Sequence, residues 1–227
     1  MYFDIQIKLF VEMKKYLPLL ILFVVCIKVN AQYESSKQTF SAPELKTAIL
    51  NHKTVAIIPL KSSIFYKKMP KGMDAEMVMN EEKKMGYDMQ SGMYTFLLRK
   101  VDNYTVSFQE VDRTNILLKK AGFAEKRDEF LPEDLCKILN VDAVIIANYS
   151  WSKTGSEAGA IAKSLIFGGI GGGVASGTLT LQIYEAKEGK LLWRFTKEMN
   201  EGAFSSANEL MERMMRKVSR NFPYEKE

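Results

Sequence analysis

Apolar and polar residues alternate most cleanly near the end of the chain. Residues 178–186 (TLTLQIYEA) alternate, 187–189 (KEG) form a tight turn, and 190–199 (KLLWRFTKEM) return, which predicts a β-hairpin. Upstream, 141–152 (VDAVIIANYSWS) carries a continuous apolar run with β-branched residues at its centre. That pattern suits a strand buried on both faces of a sheet. Residues 54–60 (TVAIIPL) and 104–111 (YTVSFQEV) read as two further strands, and Pro59 stops pairing at the end of the first.

Helical spacing fills the intervals. Ser41-Ala-Pro-Glu44 predicts a capped short helix over 43–51. Met85, Met89, Met93, Phe96 and Leu97 recur every three or four residues as a helical stripe to about residue 100, weakened by Gly86 and Gly92. Asp112 is read as the cap of a helix over 113–121, closed by Gly122. Phe130-Leu-Pro132-Glu-Asp134 opens another helix ending near Asn140. Ser206 and Glu209 form a capping box for a last helix with Leu210, Met211, Met214, Met215, Val218 and Phe222 on one face, stopped by Pro223. Residues 61–84 read as a long loop with some helix.

The order α-β-α-β-α-α-β, hairpin, α predicts an α/β fold at the border with α+β. It has about five strands in a mixed sheet, three of them crossover strands and two the C-terminal hairpin, covered by helices. The expected organisation is a signal peptide over 1–31, a lead-in and short helix over 32–53, one domain over 54–223 and a tail over 224–227.

The first 31 residues stand apart. Lys14 and Lys15 precede an apolar run over 17–27, and Val29-Asn30-Ala31 supplies small residues before Gln32, the pattern of a secretory signal peptide cut after Ala31. Starting at Met13, MKKYLPLL has the more usual signal form. The apolar run is shorter than the ~20 residues of a membrane span. Cys26 is preceded by Val25, where a lipid-bearing cysteine has a small residue, which argues against lipidation. Cleavage lowers the net charge from +5 to +3, spread without a basic block, which is weak support for a nucleic-acid partner. It also leaves Cys136 as the one cysteine, expected as a buried structural thiol in its helix.

Candidate chemistry is sparse. The single His52 limits any histidine-based triad or metal set, and CxxC, HExxH and GxSxG motifs are missing. Seven of the 13 methionines lie between Met69 and Met93, but their helical spacing favours packing over a soft-metal site. Glu81-Glu82 reads as a solvated face and Glu133-Asp134 as a helix start. Asp112 and Arg113 at a strand end could hold a ligand, but the cap is the better account. The tract 155–177 holds eight of the 14 glycines without a Walker lysine or a GxGxxG spacing. It reads as an apolar loop insertion, with a ligand loop and a membrane-inserting oligomer as the alternatives. No catalytic, cofactor-binding or metal-binding residue is assigned, no cofactor is expected, and the reading is of a non-enzyme.

TVAIIPL, YTVSFQEVDRTNILLKKAG, LCKILNVDAVIIANYSW and TLTLQIYEAKEGKLLWRF together resemble an exported bacterial α/β domain. It is shared by the curli-secretion (CsgG-like) lipoproteins, the (LpoB-like) lipoprotein activators of penicillin-binding proteins and the N-terminal domain of TolB. Pro59 matches that group's strand-ending proline, Asn115–Lys120 its leucine-rich helix, Asn140-Val-Asp142-Ala143 its strand entry and Glu188-Gly189-Lys190-Leu191 its closing hairpin. The resemblance implies a non-enzymatic domain in the periplasm or at the outer-membrane periphery of a gram-negative bacterium. It would act by contacting envelope proteins or assembling with itself. The pore-forming hairpins of the curli channel have no counterpart, and no functional residues carry over.

Overall fold

A computed structural model describes residues 37–66, 69, 71–153, 175–201 and 207–226. The expected signal peptide, the capping Ser206 and most of the glycine tract lie outside the described residues. The elements are β1 (Gln38–Ser41), α1 (Leu45–Ile49), β2 (Thr54–Ile57), β3 (Lys61–Tyr66), α2 (Ala75–Leu98), β4 (Ser107–Phe108) and α3 (Val111–Lys120). They continue with α4 (Phe123–Lys126), α5 (Pro132–Leu139), β5 (Ala143–Lys153), β6 (Ala175–Glu185), β7 (Leu191–Glu201) and α6 (Ala207–Val218).

The fold is α/β around one mixed sheet in the order β1-β7-β6-β5-β2-β4, with β3 also paired to β5. Strands β2, β4 and β5 run parallel, while β5-β6-β7-β1 are antiparallel. Strand β5 is the centre, as its apolar run requires. It pairs with β2 through Ala143–Ile145, with β3 from Asn148 to Lys153, and with β6 along its whole length.

The sheet has seven strands, two beyond the five read from the pattern. Strand β1 uses Ser41, which therefore does not cap α1; Glu44 occupies that position. Strand β3 lies in 61–84, where lysine pairs and Pro70 hide its alternation. The rest of that stretch starts α2, capped by Asp74 accepting from the Met77 N–H at 2.8 Å. Strand β4 shrinks to two residues, and α3 begins at Val111 with Glu110 as its cap, which puts Asp112 in the first turn. Gly177, counted in the glycine tract, belongs to β6; a Cβ there would lie 2.1 Å from the Tyr149 hydroxyl.

Two cores flank the sheet. On one face Val55, Ile57, Ile145 and Leu181 pack under Met89, Met93 and Phe96 of α2 and Met211, Met214 and Met215 of α6. The methionine stripe is therefore packing, and each such buried side chain contributes roughly 1.5–3 kcal/mol. On the other face Ala56, Ile58 and Val144 meet Leu118 of α3 and Leu135 and Leu139 of α5. Among the described residues this second helical layer reaches as far as Ile146 and Tyr184. Among the described residues no helix is long and apolar enough to cross a membrane.

Candidate functional site

The site begins at a break in a strand. Proline has no N–H to give to a sheet ladder, so β2 ends after the Ile58 N–H donates to the Ile145 carbonyl at 3.0 Å. The Leu60 N–H turns out of the sheet and donates to the Gly86 carbonyl of α2 at 3.1 Å, after which β3 rejoins β5. Helix and strand touch there. A Cβ on residue 86 would sit 2.2 Å from the Leu60 oxygen, so this close approach requires glycine. Carbonyls freed by the break are taken by one cation. Arg127 donates to Pro59 O at 2.5 Å and to Leu60 O at 3.4 Å, with its guanidinium 5.2 Å from the Phe123 ring centroid. Burial lowers the Arg127 pKa from its ordinary value, with neighbouring Asp128 opposing that shift. Asp128 also pairs with Lys61 at 2.9 Å.

Chain direction then opens a crevice. After β2 and β3 the chain leaves into α2 on one face of the sheet, and after β4 it leaves into α3 on the other. Neighbouring parallel strands whose connections diverge in this way leave a gap beyond their C-terminal ends, the general ligand position of open α/β sheets. The gap is about 510 Å³ between α2, α3 and α4, and adjoins a second hollow of about 260 Å³ beside the strand break. Lys83, Tyr87, Phe123 and Ala124 line both.

The interior polar groups of this crevice bond to one another. Gln90, fully buried, donates through Nε2 to Ile57 O at 2.7 Å and to Asn115 Oδ1 at 3.1 Å, and Asn115 Nδ2 returns a bond to Gln90 Oε1 at 3.0 Å. What faces outward is apolar surface: Met79 is 60% exposed, Ile116 55% and Tyr87 36%. Lys83 and Lys119, with Asp112 and Glu125, surround it. Such an arrangement receives an apolar group between charges of both signs.

The opposite end of the parallel strands is closed. His52 Nδ1 lies 2.7 Å from the hydroxyl of Tyr224, a residue read as the start of the tail but fully buried. Asp142 does not bond to His52; its carboxylate accepts the Lys53 and Thr54 N–H groups at 2.7 and 2.8 Å. Burial pushes the Asp142 pKa up, but those two donors and nearby His52 and Lys53 leave it below its ordinary value. Burial lowers His52 against the opposing charge of Asp142, and burial raises Tyr224 strongly. Cys136 is buried, and burial pushes its thiol up to about 12, so it is protonated at neutral pH and a poor nucleophile. The knot is a fastening. Tyr224 O accepts the Thr105 N–H at 2.9 Å, and Glu225 bridges Tyr104, so the C-terminal segment seals the chain beside β4.

The structure separates the residues singled out in the sequence. Asp112 lines the crevice, whereas Glu133 and Asp134 start α5 as expected. Glu81 and Glu82 do more than meet solvent: Glu82 accepts the Ile64 N–H at 2.7 Å and Glu81 accepts the Tyr66 hydroxyl at 2.8 Å, which closes the outer edge of β3. Sequence reasoning missed Gln90, Asn115 and Arg127. The available signal was Gly86 inside a strong helical stripe, which marks a close approach.

No family model and no curated protein matches the chain. Among solved structures, the lipoprotein GNA1162 of Neisseria meningitidis is 14% identical with a TM-score of 0.43, covering 74% of this chain and 94% of its own. The PelC dodecamer of Paraburkholderia phytofirmans is 12% identical with a TM-score of 0.43, covering 85% and 100%. The C-terminal domain of LpoB from Salmonella enterica is 8% identical with a TM-score of 0.34, covering 70% and 94%.

Proposed function

We propose that this is an exported cell-envelope protein whose domain works by docking an apolar segment of another envelope protein into the crevice between α2, α3 and α4. One observation carries the reading. Met79, Tyr87 and Ile116 stand exposed around a crevice whose interior amides are already bonded to each other. Water gains little from such a surface, and a partner's apolar side chain gains its burial, about 25 cal/mol per Å² of area removed from water. Export rests on the charged, apolar and small-residue pattern over 1–31.

The test compares affinity capture from native envelope fractions by the full chain, by Ile116→Asp and by Leu50→Asp, which alters an exposed leucine outside the crevice lining. The expected result is a protein retained by the first and third and released at least tenfold by the second. Equal retention by all three would end the crevice reading.

A further inference from the structure

The two hollows of the crevice differ in charge. The larger one is balanced: Lys83 and Lys119 stand on its wall with Asp112 and Glu125. The smaller one, beside the strand break, is lined by Lys61, Lys83 and Arg127, with Glu82 as the one carboxylate among the described residues around it. Most of these charges are already engaged. Lys61 pairs with Asp128 at 2.9 Å, and Glu82 turns an oxygen to the Ile64 N–H at 2.7 Å. Arg127 gives its bonds to two carbonyl oxygens. Lys83 is exposed and has no ion-pair partner among the described residues.

The amides of Gln90 and Asn115 satisfy each other, but the smaller hollow holds a polar group outside that network. Side chains alternate along β3, so Ser62 and Ile64 turn inward while Lys61 and Ser63 meet solvent. Ser62 is 8% exposed, and its Oγ has no hydrogen-bond partner among the described residues. A buried hydroxyl left so has lost the bonds water would give it, and an acceptor brought into the hollow restores one. An unpaired lysine and a spare hydroxyl beside an apolar wall fit a ligand with a carboxylate next to an apolar group. In an extended segment neighbouring side chains point to opposite faces, so an apolar residue followed by an acidic one presents only one of the two. The last residue of a chain presents both from a single Cα. A chain end also needs no way out, and the smaller hollow is walled by β3, α2 and α4. A free inorganic anion would meet Lys83 and Ser62 but leave Met79 and Ile116 in water.

We infer that the crevice captures the C-terminal residue of its partner, with the terminal carboxylate held by Lys83 and the Ser62 hydroxyl and the last side chain seated against Tyr87 and Ile116. The inference rests on the docking reading and adds what the docked segment must end in: an apolar residue with a free carboxylate.

Two pools of randomised octapeptides, one with free C-terminal carboxylates and one amidated, passed over the immobilised full chain, test it by mass spectrometry of what is retained. The expected result is retention of free-acid peptides ending in an apolar residue, and at least tenfold less from the amidated pool. For a retained peptide, Lys83→Gln, at an exposed position where folding is not at risk, should raise the Kd of the free acid about tenfold and leave that of the amide unchanged. Ser62→Ala should raise it about threefold, and Ile116→Asp should weaken acid and amide alike. Equal retention from both pools, a Kd indifferent to Lys83→Gln, or retention that follows internal Asp or Glu in the amidated pool would each overturn the inference. If Ile116→Asp still weakened binding in those cases, the docking reading would stand. Retention indifferent to Ile116→Asp, or none from either pool, would overturn both.

Discussion

The two ends of the parallel strands are built in opposite ways. At the N-terminal end of β2 and β5, polar groups are interlocked: His52 with Tyr224 in the interior, Asp142 with the Lys53 and Thr54 amides nearer the surface, and Gln109, buried, with Leu139 O at 2.9 Å and the Thr114 hydroxyl at 2.9 Å. At the C-terminal end the interlock stops at Gln90, Asn115 and Arg127, and above it Met79, Tyr87 and Ile116 meet solvent. Both ends have satisfied hydrogen bonds, so satisfaction alone does not distinguish fastening from function. The difference is the apolar surface left uncovered at one end.

That contrast predicts stability effects at the closed end and the strand break, and binding effects at the open end. The largest loss should come from Tyr224→Ala, which empties a buried aromatic site next to Phe222 and removes the hydroxyl bonded to His52. About 3–5 kcal/mol is expected, read by urea denaturation; a change under 1 kcal/mol would mean the end is not closed. Gly86→Ala sets two effects against each other. Helix propensity favours alanine by about 1 kcal/mol, while a Cβ 2.2 Å from the Leu60 oxygen forces strand and helix apart. Overpacking of this kind costs roughly 1–3 kcal/mol or more, so the variant should be less stable; a gain would break the account of the crossing.

His52 gives a pH test with a defined sign. Its folded pKa lies below the ordinary 6.5, so the unfolded chain binds more protons in the window between the two. Stability contributed by the neutral imidazole is present above about 6.5 and is lost as pH falls from there through the folded value. His52→Gln should flatten the slope of stability between the two; an unchanged slope would assign it to other groups. The smallest stability effect belongs to Ile116→Asp, within about 0.5 kcal/mol because the side chain is exposed. A large loss there would make Ile116 part of the core and remove it from the docking surface.

Much of the fold was legible in the chain. The β6–β7 hairpin shows its alternation, β5 its apolar run, and α6 its apolar face. Strand β3 was not, because its partner β5 lies some ninety residues downstream and its edge is protected by Glu82 from a helix, neither of which leaves a local mark. The C-terminal segment looked like a tail because Tyr224 is anchored by His52, 172 positions away in sequence. For the crevice, sequence placed Pro59 correctly at a strand end, but Asp112 lies in the first turn of α3, and Arg127 meets Pro59 only through a crossover of 68 residues.

The crevice claim is tested most directly by photo-crosslinking in native cells, with a photoreactive residue placed in the full chain at Ala124, which lines both hollows, or at Leu50 as a control. The account predicts a discrete crosslinked partner from position 124 that disappears when Ile116→Asp is added, and none from position 50. Crosslinks from position 124 that survive Ile116→Asp, or equal yields from both positions, would contradict it.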